Sequence, residues 1–82
     1  MKTIDSIHSI HLELHDDEEN SHKEYDVFLQ KGDTGYAVSF KYGRINGHST
    51  EGVKIEDATE EEAKIVYDKL VLSKMKKGYE EV

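Results

Sequence analysis

A chain of 82 residues, with 18 acidic side chains against 11 lysines and arginines, a net charge of −7 and no cysteine, describes one small domain held together by packing alone. Such a domain buries only about 60–65% of the surface its unfolded chain would expose, too little to carry a cofactor domain beside a substrate domain, and this argues against an enzyme. The acidic balance opposes general attraction to polyanions, the lack of thiols fits a reducing compartment, and no segment nears the roughly 20 apolar residues of a membrane span, so a cytoplasmic protein is expected.

Met1-Lys2-Thr3-Ile4-Asp5-Ser6 alternates apolar and polar residues and lacks the apolar centre of a signal peptide. The first strand is expected at Ile10-His11-Leu12-Glu13-Leu14-His15, where a period of two turns Ile10, Leu12 and Leu14 to a core and His11, Glu13 and His15 to water. Asp16-Asp17-Glu18-Glu19-Asn20-Ser21 reads as a solvated loop, because adjacent carboxylates repel one another in a sheet. Tyr25-Asp26-Val27-Phe28-Leu29 reads as a second strand and Tyr36 to Tyr42 as a third. Tyr36, Val38, Phe40 and Tyr42 share one face of that third strand. The turn Gln30 to Gly35 joins the two strands as an antiparallel hairpin. Asn46-Gly47 marks a further turn, and a short fourth strand is expected near Gly52-Val53-Lys54-Ile55.

The period then changes. Thr59-Glu60-Glu61-Glu62 has the form of a capping box, in which Thr59 accepts from the Glu62 backbone N–H and Glu62 reaches back. The three glutamates complement the positive end of a helix dipole. Ala63, Val66, Tyr67 and Leu70 recur at the spacing of an amphipathic face. Lys74, Lys76 and Lys77 occupy the last turn and Gly78 ends the helix. Strands and helix each have an apolar face that needs covering, so the expected architecture is α+β: an antiparallel sheet of about four strands with one long C-terminal helix packed on it, as a single domain over 1–82 with its core at about 10–80.

A strand ending in aromatic-Gly-Arg, a polar loop, a short strand and a capped helix closing on Lys-Lys-Gly-Tyr resembles the WGR domain family. The signature here is Tyr42-Gly43-Arg44-Ile45, and the close is Lys74-Met75-Lys76-Lys77-Gly78-Tyr79. The family includes domains of DNA-dependent poly(ADP-ribose) polymerases and short bacterial proteins. The resemblance implies a sheet with one packed helix, and a role in contacting broken DNA through the signature aromatic and arginine. Two departures stand out: Tyr42 replaces the usual tryptophan, and the loop from Asn46 to Gly52 strays from the usual glycine-rich pattern.

The residues themselves suit that role. A planar ring can stack on a base or sugar, worth about 1–3 kcal/mol per base in single-strand systems, and a guanidinium grips phosphate bidentately. From Lys41 to Lys54 the stretch holds Lys41, Arg44 and Lys54 against Glu51 alone, so it is locally basic. The expected contact set is therefore Tyr42, Gly43, Arg44, Lys41 and Lys54, binding a DNA end or nick weakly and in a salt-sensitive way. The alternative is a protein-interaction or structural module using the same surface. Lys74, Lys76 and Lys77 read more simply as solvated lysines at a helix C-terminus than as a phosphate patch. His11, Glu13 and His15 share a strand face at about 6.6 Å spacing, wide for one tetrahedral metal. No nucleophile elbow, phosphate-cradling loop or metal helix is present, so no catalytic residue, cofactor, metal or small-molecule substrate is expected.

Overall fold

The computed structural model describes residues 5–16, 21–45 and 47–82, and their side chains from residue 8 onward except at Ser21. Met1 to Ile4, most of the acidic run (Asp17 to Asn20) and Asn46 of the Asn-Gly turn lie outside the described residues. The elements in order are β1 (Asp5–Asp16), β2 (Ser21–Lys31), β3 (Tyr36–Arg44), β4 (Ser49–Ala58), α1 (Glu60–Lys76) and β5 (Glu80–Glu81). They form one antiparallel sheet in the order β4-β3-β2-β1-β5. The expected class is observed, with a fifth strand made of the two residues that follow the helix. β4 is longer than its apolar centre suggested, because backbone pairing to β3 continues through polar residues that have no need of a buried face.

The β2–β3 hairpin closes through Gly32 N–H donating to Gly35 C=O at 2.8 Å, and its register runs from Lys31 opposite Tyr36 to Lys23 opposite Arg44. β4 pairs with β3 less evenly. Its register slips twice, once before Val38 and once between Val38 and Ser39, whose partners are Ile55 and Val53. The second slip leaves Lys54 as the extra residue of a bulge, a device that re-aims a side chain. Near the first, Asp57 adopts a left-handed backbone at φ 54° and accepts a hydrogen bond from the Thr34 hydroxyl.

α1 begins at Thr59, whose side chain accepts from Glu62 N–H at 3.2 Å. It ends in a Schellman motif: Gly78 N–H donates to Met75 C=O at 3.0 Å and Tyr79 N–H to Lys74 C=O at 3.2 Å. That turn demands φ +109° at residue 78, where glycine pays no Cβ penalty. The chain then turns back to lay β5 along Leu12 and Glu13 of β1.

One face of the sheet is covered and the other is open. Leu12, Val27, Leu29 and Val38 lose all contact with solvent, joined by Tyr25 and by Ala63, Leu70 and Val71 of the helix. Each such aliphatic side chain contributes about 1.5–3 kcal/mol. α1 lies across β2, β3 and β4, so among the described residues the other face of those strands carries no second layer. Strand alternation gives the open face His11, Glu13 and His15 of β1, His22, Glu24, Asp26 and Phe28 of β2, Ser39 and Lys41 of β3, and Glu51 and Val53 of β4.

Candidate functional site

Tyr42 and Arg44 lie two residues apart on β3, so the pleat points both side chains to the helix side. Both are exposed, Tyr42 to 41%. They stand at the end of β3 beside the last turns of α1, on the wall of an open groove of about 1080 Å³ between helix and sheet. The intervening Gly43 has a different task. A Cβ there would sit 2.2 Å from the His48 carbonyl oxygen and 2.9 Å from the Ser49 Cα. The chain entering β4 passes so close that only glycine fits, which explains the middle residue of the signature without any ligand.

The floor of the groove is aromatic. The Tyr25, Phe40 and Tyr42 rings form a triangle: Tyr25 lies near-parallel to Phe40, at 5.9 Å and 19°, and to Tyr42, at 5.5 Å and 13°, and Phe40 and Tyr42 are 5.9 Å apart. Tyr79, aimed inward by the Schellman turn, meets Tyr25 edge-on at 6.0 Å and 70°. Aromatic pairs in such geometries contribute about 0.5–1.5 kcal/mol beyond area burial, so Tyr42 is held in place by its ring neighbours. Burial among these rings pushes the Tyr25 hydroxyl pKa upward, helped by the Tyr42 and Tyr79 hydroxyls.

The walls are basic. Lys23, Arg44, Lys54, Lys74 and Lys77 all line the groove, five of the chain's 11 cationic residues, while among the described residues none of its 18 carboxylates does so. Lys74 Nζ lies 4.7 Å over the Tyr25 ring centroid, a cation–π position. Its pKa is lowered, first by desolvation and then by the neighbouring charges of Lys77 and Lys54. Such a gathering of like charges around Lys74 costs the fold stability, and a bound anion would relieve the repulsion. The charge of −7 is therefore an average over a divided surface.

Of the residues singled out in the sequence, the groove brings together Tyr42, Gly43, Arg44 and Lys54, the last through its bulge. Lys41 is a correction: it lies on the open face of the sheet, opposite Asp26 of β2 and Glu51 of β4. Alternation along β3 sends it away from its neighbour Tyr42. The helix-end lysines also need revision, because Lys74 is half-buried over a ring and Lys77 faces the groove, so only Lys76 of the three is outside its lining. Lys23, Tyr25 and Tyr79 were missed. The hairpin register carried a signal for Lys23, since a four-residue turn pairing Lys31 with Tyr36 puts Lys23 opposite Arg44. Tyr79 and Lys77 depend on how the helix docks, which no local pattern reveals.

A family model for the WGR domain matches residues 8–82, all but the first seven residues. No curated protein and no solved structure matches the chain.

Proposed function

This chain belongs to the WGR domain family, and we propose that it serves as a non-catalytic module contacting nucleic acid, at a DNA end or nick, through the groove between α1 and the end of β3. The single observation that carries this reading is the meeting of five cations and an exposed ring in one groove of an acidic protein, with no carboxylate among its described lining residues. Lysine and arginine neutralise phosphates. Tyr42, exposed and packed beside Tyr25, offers ring surface to a base or sugar. Gly43 admits the backbone at His48 and Ser49, and Lys54 adds a further cation to the wall.

The acidic remainder of the surface confines binding to this one place and keeps affinity modest. With up to five phosphate contacts on duplex DNA, log K falls with log salt at a slope of roughly −4 to −5. Titration by fluorescence anisotropy against nicked and blunt-ended duplexes, with closed circular DNA as competitor, tests the reading. Binding at low salt that weakens at least fivefold in Arg44→Ala supports it. Failure of wild type to bind any of these at low salt overturns it and leaves the rival reading, in which the groove docks an acidic segment of a partner protein.

A further inference from the structure

The open face of the β1–β2 hairpin carries a second arrangement, separate from the groove. Asp26, His11, Glu13, His15 and His22 form one continuous chain of side-chain contacts. His11 Nδ1 meets Asp26 Oδ1 at 2.5 Å, and His11 Nε2 meets Glu13 Oε2 at 2.9 Å. The other Glu13 oxygen, Oε1, meets His15 Nε2 at 2.8 Å. His15 Nδ1 then faces His22 Nδ1 at 2.8 Å. His15 and His22 are direct cross-strand partners, and their ring centroids are 5.0 Å apart.

The proton positions follow from the acceptors. A carboxylate only accepts, so both His11 nitrogens donate, and the ring is held as an imidazolium. Its pKa is raised accordingly, first by the bond to Asp26 and then by that to Glu13. With Glu13 Oε1 accepting from His15 Nε2–H, the other ring nitrogen, Nδ1, is left to carry the lone pair. The Nδ1 of a second imidazole, His22, lies 2.8 Å from it, so one ion beside the pair reaches both nitrogens. A carboxylate that fixes the tautomer of a histidine whose other nitrogen is turned outward is the outer-shell arrangement found behind metal-bound imidazoles.

We propose that His15 and His22 form a cis di-imidazole site for a divalent transition metal of tetragonal preference, such as Cu²⁺ or Ni²⁺, with Glu13 as the positioning residue behind His15. The separation lies closer to one coordination angle than to another. With metal–nitrogen bonds of about 2.0–2.1 Å, a 2.8 Å separation subtends roughly 85–90° at the ion, whereas a tetrahedral angle needs about 3.3–3.4 Å between nitrogens. Right angles suit square-planar or octahedral ions over tetrahedral zinc. Among the described residues no group of three or more donors converges on one point, so two imidazoles and water complete the coordination, and the affinity is that of a two-ligand site. The pair faces away from the groove, so this site and the proposed nucleic-acid contact stand or fall separately.

Titration of the full chain with Cu²⁺, followed by electron paramagnetic resonance and calorimetry, tests the site. The expected result is one equivalent bound with coupling to two imidazole nitrogens. His22→Ala and His22→Asn should each lose at least tenfold in affinity and one nitrogen coupling. Glu13→Gln should weaken binding roughly tenfold while both couplings remain, and His48→Ala should change nothing. Equal Cu²⁺ affinity in wild type and both His22 variants, or a spectrum without two-nitrogen coupling in wild type, overturns the proposal. Both His22 variants alter an exposed side chain, and circular dichroism confirms that they fold.

Discussion

Replacing Lys74 by methionine separates a binding cation from a structural one. Two effects compete at this position. The ammonium 4.7 Å above the Tyr25 ring gains about 0.5–1 kcal/mol as a cation–π contact at a partly exposed site. Against this stand desolvation and the like charges of Lys77 and Lys54, which lower the Lys74 pKa. A lysine whose folded pKa is depressed binds its proton less well in the native state, so at neutral pH its charge costs stability. Methionine keeps the length and apolar stem of the side chain and makes its own sulfur–aromatic contact, worth about 0.3–1.5 kcal/mol. The lost and gained ring contacts nearly cancel, and removal of the charge repulsion decides the sign. We expect Lys74→Met to leave Tm unchanged or raise it by a few degrees, each kcal/mol being about 4–8 °C for a domain of this size. DNA affinity at low salt should fall by roughly fivefold, and the salt slope should drop by about one unit. Differential scanning calorimetry and anisotropy titrations at several salt concentrations read the two quantities on the same samples. A Tm lowered by several degrees with DNA binding and slope intact would refute the reasoning and make Lys74 a structural residue.

Gly43→Ala forces a Cβ to within 2.2 Å of the His48 carbonyl oxygen, so it should destabilise by upwards of about 2 kcal/mol and lower Tm by roughly 8–16 °C; an unchanged Tm would show that the turn yields freely. Lys23→Gln should weaken DNA binding and reduce its salt slope by about one, whereas Lys41→Gln, altering the opposite face between Asp26 and Glu51, should leave the slope alone. Equal effects of the two in anisotropy titrations would contradict the one-sided site. For the hairpin chain, His11 has a pKa raised above 6.5, so its stabilisation is complete below 6.5 and fades as pH rises through the raised value. Glu13 has a pKa lowered beneath 4.5, so its stabilisation is complete above 4.5 and fades as pH falls through the lowered value. The Tm difference between wild type and His11→Asn should therefore be largest between pH 4.5 and 6.5, and a difference independent of pH would contradict that coupling.

The elements were legible because their signals are local. Leu12 and Leu14, the series from Tyr36 to Tyr42, and the Thr59 cap each report a period or an end that needs no distant partner. The same alternation already placed Lys41 away from Tyr42; grouping Lys41 with its neighbours by position in the chain overrode the strand period that separates them. Lys54 reaches the groove for a reason the sequence does not display, a bulge that breaks the alternation of β4. Lys74, Lys77 and Tyr79 come to the site only through the docking of α1 and its Schellman turn. Read as an isolated helix end, those lysines satisfy the dipole and imply nothing more. The His15–His22 pair was hidden because its members are on two strands, and considering β1 alone left only histidines spaced too widely for one ion.

The most direct measurement is a ¹H–¹⁵N correlation titration of the chain with a nicked DNA duplex at low salt. The groove account predicts that backbone amides of Lys23, Tyr42, Arg44, Lys54, Lys74 and Lys77 shift together along one binding curve, while those of Glu13, Asp26 and Glu51 on the far side of the sheet move little. Shifts centred on the open face, or no shifts at a salt concentration where phosphate contacts are unscreened, would contradict it.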